Sequence, residues 1–151
     1  MIVTLIPIEV LPKVWAEAAP LIAKAVRPTE TFSTSILDIY DWCLKGKYSL
    51  WIAADEETKE VKAAWVTTIF VHPGYRALSV QYVGGDGMED WIGKMHDILK
   101  KFAADCGCSA IEVCGREGWA RSLKRQTNEK WSRSGVLLRL ELDEAVPMAA
   151  E

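Results

Sequence analysis

Residues 78–123 constrain this chain more than any other stretch, because they read without a break as strand, glycine loop, long amphipathic helix, strand and second helix. Met88, Trp91, Ile92, Met95, Ile98, Leu99, Phe102, Ala103 and Cys106 recur at the i, i+3, i+4, i+7 spacing of one apolar helical face. Asp90, Lys94, Asp97, Lys101 and Asp105 take the opposite face. Gly107 follows the last periodic residue, where a left-handed C′ position favours a residue without a Cβ, so the helix is expected to stop there. On either side, residues 78–83 and 110–114 are short and rich in β-branched side chains, as strands are. A strand, a helix of this length and a second strand form a crossover, which sets the two strands parallel and lays the helix across one face of their sheet.

Half of the 151 residues are hydrophobic, enough for one domain with its own core. That domain is expected over residues 1–145, with 146–151 as a short tail. No apolar run approaches the length that spans a bilayer, and MIVTLIPIEV lacks the basic start and small-residue cleavage site of a secretory signal. The reading is of a soluble protein that is neither secreted nor membrane-bound. Cys43, Cys106, Cys108 and Cys114 sit in or next to apolar segments and are expected to be reduced, buried thiols. Cys106, Cys108 and Cys114 with His96 do not make a zinc spacing, so no metal is expected.

The net charge of -3 hides an asymmetry. Residues 116–139 hold seven Lys or Arg and two acids, net +5, while the remainder carries 11 basic and 19 acidic residues, net -8. A local basic patch of this kind suits a phosphate-bearing ligand, a nucleic acid or an acidic protein face, and equally a solvated helix and hairpin. Overall acidity argues against non-specific nucleic-acid binding.

In chain order, residues 2–8 are an apolar, partly alternating run expected to be the first strand, ending near Pro7. Leu11, Val14, Trp15, Ala18, Leu21, Ile22 and Ala25 mark a helix that Pro12 can begin and that Pro20 is expected to kink or divide in two. Ser35 with Asp38 resembles a capping box, an acidic variant of the usual Glu or Gln, opening a helix with a buried stripe of Ile36, Ile39, Tyr40, Cys43 and Leu44 and a stop at Gly46. Residues 48–84 read as an antiparallel meander of three strands, with HPGY as the second turn. Residues 135–142 alternate well enough for a closing strand. Of the seven tryptophans, Trp15, Trp51, Trp65 and Trp91 fall on expected core faces.

A glycine-broken loop between a strand and a long helix, then a strand ending in GREGW, resembles the acyl-CoA-binding half of the GNAT (GCN5-related N-acetyltransferase) fold. More narrowly, HPGYRALSVQYVGGDGMEDW followed by AADCGCSAIEVCGREGWARSL resembles small GNAT-like proteins of tailed bacteriophages. The resemblance covers roughly residues 48–131, and the order β, α, α, β, β, β, α, β, α, β is also that of GNAT domains. It implies an α+β fold in a single domain, with a mixed, mostly antiparallel sheet, a parallel central βαβ pair and helices on both faces.

The resemblance also points to a site. GNAT enzymes bind the CoA pyrophosphate with a loop written [QR]-x-x-G-x-[GA], whose glycines let the backbone approach and whose helix-terminal amides donate. VHPGYR superficially matches the phrase that begins this loop in many of them, but a strand follows it here, so Pro73 and Gly74 read as a hairpin turn. Tyr82, Val83, Gly84, Gly85, Asp86 and Gly87 fit the glycine spacing, with Tyr in place of Gln or Arg. Asp86, Glu89 and Asp90 crowd the first helical turn, where they would complement the helix dipole and repel an anion, so a capped structural turn is the competing reading.

Acetyl transfer needs a base for the amine, and an acid for the departing thiolate helps. Glu112 is the best-placed carboxylate, since Ile111 and Val113 should face one side of the strand and Glu112 the other. Residues 116–131 hold no tyrosine of the kind many relatives use as the acid, which leaves Ser122 and Cys114 as substitutes. Arg116 and Arg121 suit a CoA phosphate or a partner's carboxylate, and Asn128 a pantetheine amide. Two functions follow from the resemblance. One is a catalytically degenerate phage protein, in the host cytoplasm or the virion, acting through contacts with other phage proteins or with itself. The other is an acetyl-CoA-dependent N-acetyltransferase of unknown acceptor amine.

Overall fold

The computed structural model describes residues 1–26, 34–115, 118–135, 138–140 and 142. Its elements are β1 (Ile2–Leu5), α1 (Leu11–Ala23), α2 (Ile36–Leu44), β2 (Ser49–Ala54), β3 (Val61–His72), β4 (Tyr75–Gly85), α3 (Met88–Asp105), β5 (Ala110–Val113) and α4 (Gly118–Thr127). The strands form one sheet in the order β1-β2-β3-β4-β5. Every neighbouring pair is antiparallel except β4 and β5, which are parallel and joined through α3. The expected α+β architecture and its parallel crossover are therefore present.

Strand alternation divides the core into two layers. Trp51, Ala53, Ala63, Trp65, Leu78 and Val80 face α3 and α4 and pack with Trp91, Ile92, Met95, Leu99 and Leu123. Leu50, Ile52, Ala54, Ala64 and Val66 point the other way, against Leu11, Ala18 and Ile22 of α1 and Ile39 and Cys43 of α2. Because both faces of β2 and β3 are covered, their sequences are almost continuously apolar. Trp65, wholly buried, stacks on Trp91 with ring centroids 5.8 Å apart and planes 16° apart. An aromatic pair of this geometry contributes about 1 kcal/mol beyond its buried area.

The helix ends follow local chemistry. Ser35 Oγ accepts from the Asp38 amide at 3.1 Å and Asp38 Oδ2 accepts from the Ser35 amide at 2.9 Å, which completes the capping box with the shorter acid. At the other end of α3, Cys108 N donates to Ala103 O and Gly107 N to Ala104 O, with Gly107 at φ +74°. That is a Schellman closure at the expected glycine. Pro73 and Gly74 make the two-residue turn between β3 and β4.

Other expectations are corrected. Pro20 does not divide α1, which runs through it as one helix of 13 residues. Pro20 and Ala16, whose carbonyl loses its helical donor, both lie on the exposed side, where that carbonyl is open to solvent. Leu44 is exposed, outside the buried stripe of α2, and Trp15 is only half-buried, stacked on Tyr40. The closing strand expected over residues 135–142 is absent from its described part: residues 135, 138–140 and 142 are in no strand, and 136, 137 and 141 lie outside the described residues.

The cysteines also depart from expectation. Cys43 is buried, but Cys106 and Cys108 are half-buried at the Schellman turn and Cys114 is exposed beyond β5. Burial pushes the Cys43 thiol up to about 12, so it stays protonated near neutrality. A disulfide reagent at pH 8, read by mass spectrometry of peptides, is expected to label Cys114 in the native protein and Cys43 only after unfolding. Rapid native labelling of Cys43 would show that α2 does not cover it.

Candidate functional site

The ladder between β3 and β4 passes from Ala64 opposite Gly84 to Val66 opposite Gln81, so β4 carries one extra residue at Tyr82–Val83. Tyr82 adopts φ +51°, uncommon for a side chain of that size, as the extra residue of a bulge can require. The bulge turns Tyr82 toward the α1 and α2 layer while Val83 packs with α3. On its other side β4 pairs with β5 only from Ala77 opposite Ala110 to Val80 opposite Val113. The last bond between them runs from Cys114 N to Val80 O at 3.2 Å. Beyond it β4 continues to Gly85, paired among the described residues with β3 alone, and the sheet opens between the two parallel strands.

This opening leads to the glycine stretch, which divides differently from the sequence expectation. Gly84 and Gly85 belong to β4, not to a loop. A Cβ on Gly84 would lie 1.8 Å from the Leu21 carbonyl oxygen of α1, and one on Gly85 would lie 2.5 Å from both Ala63 Cβ and Lys62 O. These two glycines are accounted for by the close approach of α1 and β3. The Asp86 amide is bonded to Lys62 O at 3.0 Å, and Trp91 Nε1 donates to Asp86 O at 2.9 Å, so the turn is held from both sides. Gly87, at φ +64°, is the N-cap of α3, and no side chain caps that end. The first-turn amides thus have no side-chain cap, and Glu89 and Asp90 stand in the same turn, with Asp90 Oδ2 3.1 Å from where a Cβ on Gly87 would lie.

Ile111 and Val113 line an apolar cavity of about 20 Å³ on the α3 side, together with Val80, Ile92, Met95, His96, Leu99, Trp119, Leu123 and Trp131. By alternation Glu112, half-buried, faces the other layer. It stands opposite Ser79, which in turn stands opposite Thr68 of β3. Gln81 Nε2 donates to Ser79 Oγ at 3.1 Å. The carboxylate therefore belongs to a polar row that ends at the bulge.

The remaining expected site residues are placed as follows. Ser122 is half-buried on α4, which packs with α3 through Leu123, so it lies across the sheet from the Glu112 side. Arg121 is exposed on the same helix. Asn128 is exposed and at φ +54°, and its amide donates to Lys124 O at 3.2 Å, which closes α4 with a left-handed residue. Arg116 lies outside the described residues. In the GREGW turn, a Cβ on Gly115 would lie 2.6 Å from Trp119 Cδ1, so the glycine makes room for the indole.

Sequence reasoning placed Tyr82 in the glycine stretch but missed its phenol partner at the bulge, Tyr48. Tyr48 and Tyr82 meet edge to face with ring centroids 6.4 Å apart. Burial, then the neighbouring Tyr82, pushes the Tyr48 hydroxyl up to about 12, so it is a protonated donor at neutral pH. The only sequence signal was the tyrosine standing at the Gln or Arg position of the loop pattern. Among the described residues no group of three or more His, Cys, Asp or Glu could hold a metal ion, and no helix is long and apolar enough to cross a membrane.

Solved structures share this architecture. A probable acetyltransferase superimposes with a TM-score of 0.69 over 96% of this chain and 100% of its own, at 8% identity. An aminoglycoside acetyltransferase from an uncultured soil metagenomic sample, solved in complex with sisomicin, gives 0.68 over 94% and 96%, at 11% identity. The ribosomal-protein-alanine N-acetyltransferase of Brucella melitensis biovar Abortus 2308 gives 0.65 over 93% and 99%, at 16% identity. No protein-family model matches the chain, and no curated protein matches it in sequence. The chain has a GNAT-like fold, and the likeness at these identities is one of fold.

Proposed function

We propose that this protein is an acyl-CoA-dependent N-acyltransferase, with acetyl-CoA as the donor and an amine as the acceptor. The observation that carries the reading is the opening of β4 from β5 at a bulge, directly before an uncapped helix N-terminus. The first-turn amides of α3 would donate to the CoA pyrophosphate. Arg121, and Arg116 from the strand-to-helix turn, would neutralise further phosphate charge. The thioester would lie along the unpaired side of β4. Glu112 would take the proton of the attacking amine as the new C–N bond forms and the C–S bond breaks. The thiolate would recover a proton from the Tyr82 hydroxyl at the bulge, which faces the same layer as Glu112, in preference to Ser122 on the far side of the sheet.

A second reading has one observation in its favour: Asp86, Glu89 and Asp90 surround the same amides and repel anions. On that reading the fold is catalytically degenerate and works through protein contacts, in a phage particle if the narrower resemblance holds. Isothermal titration with acetyl-CoA and with CoA separates the two. Binding in the micromolar range, weakened by added salt as screening of the attraction between the arginines and the phosphates dictates, is the expected result. Absence of binding at millimolar ligand would remove the enzyme reading.

A further inference from the structure

Val80 and Val113 form the last pair of the parallel ladder, and both also line the apolar cavity on the α3 side of the sheet. The place where β4 and β5 part therefore lies against a hollow. Trp119 ties the two features together. Its indole is a wall of the cavity, and it is seated on Gly115, where an added Cβ would lie 2.6 Å from Trp119 Cδ1. Gly115 directly follows Cys114, whose amide makes the last bond between the two strands.

The walls suit hydrocarbon. Ile92 and Leu99 of α3 and Leu123 of α4 line the cavity, and no acid, lysine or arginine does. His96 is the polar exception, and its Nδ1 is 3.6 Å from Oδ1 of the exposed Asp97. A water in such a space has too few hydrogen-bond partners, so the space stays dry and accepts apolar groups. At about 20 Å³ it exceeds the roughly 10–15 Å³ that seats one water, which leaves room for about one or two carbon atoms. The two sides of the sheet also keep the reacting groups apart. Glu112 faces the α1 and α2 layer, while the cavity lies in the α3 and α4 layer. A thioester held between the strands could meet an amine from the Glu112 side with its tail directed away from it.

We propose that the donor site is built for a short acyl chain longer than acetyl, a propionyl or butyryl group whose terminal carbons fill this cavity. The proposal rests on the acyl-CoA reading above and adds the class of donor. Burial of each further methylene favours the longer chain until the cavity is full, after which the walls reject it.

The test is isothermal titration of the full-length chain with acetyl-, propionyl-, butyryl- and hexanoyl-CoA. The dissociation constant is expected to fall by about fourfold for each of the first one or two added methylenes, and to rise again at hexanoyl-CoA. Val113→Ile adds one methyl group at the last strand pair and should make the best donor one carbon shorter, with circular dichroism checking that the fold is kept. Acetyl-CoA binding with an affinity indifferent to chain length overturns this inference and leaves the acyltransferase reading standing. An affinity that climbs steadily through hexanoyl-CoA overturns it as well, since the tail then lies on open surface. So does a folded Val113→Ile variant with the parent's chain-length profile. Absence of binding by all four donors overturns both.

Discussion

Gly84→Ala is expected to destabilise the protein by about 3 kcal/mol or more, among the largest effects of any single substitution. The added Cβ would sit 1.8 Å from Leu21 O and 2.7 Å from Leu21 C, both main-chain atoms that no rotamer change can move. Relief would require α1 to lift, yet Ala18 and Ile22 of that helix are fully buried against the sheet. It would otherwise require β4 to move, which the ladder with β3 resists on both sides of the bulge. For a chain of this length the loss corresponds to a fall in Tm of roughly 10 °C. Thermal and urea denaturation followed by circular dichroism measure it. Gly93→Ala is the control, because nothing lies within 4 Å of the added methyl in the middle of α3. That change should be neutral or stabilising by up to about 1 kcal/mol. If Gly84→Ala melts like the parent, α1 does not approach β4 as closely as described. Substitutions at Gly85 have the same packing origin, so lost ligand binding there would report on folding as much as on a phosphate site.

Glu112→Gln is the counterpart for chemistry. If Glu112 is the base of the proposed transfer, this near-isosteric change should lower kcat by about 10²- to 10⁴-fold. It should leave acetyl-CoA affinity and Tm nearly as they were, because the proposed pyrophosphate contacts lie on α3 and the residue is only half-buried. The measurement is steady-state acetylation of a panel of amines alongside titration of the variant with acetyl-CoA. A loss smaller than about tenfold would move the base elsewhere in the polar row or into bound water. A parallel loss of affinity and stability would mean that the carboxylate supports the sheet opening.

Much of the fold was legible because its determinants are local. The apolar period of α3, the glycine that closes it, the Ser35–Asp38 box and the Pro73–Gly74 turn each depend on residues within a few positions of one another. Alternation likewise assigned Glu112 to the face opposite Ile111 and Val113, and the crossover implied that β4 and β5 run parallel.

The details that make up the candidate site were decided elsewhere. Whether Gly84 and Gly85 form a loop or a strand depends on Leu21 and Ala63, which are distant in sequence and meet them only through the packing of α1 and the register of β3. The bulge at Tyr82 is a register difference between two strands, and no single strand's sequence displays it. The parallel register put Ser79 beside Glu112, and burial beside Tyr82 is what pushes the Tyr48 hydroxyl up to about 12. Pro20 could stay inside α1 because that side of the helix faces water, a fact of orientation. Short-range periodicity and capping therefore determined which elements form and in what order. The opening between the parallel strands, and what surrounds it, came from contacts between residues far apart in the chain, because approach and register are properties of pairs of elements.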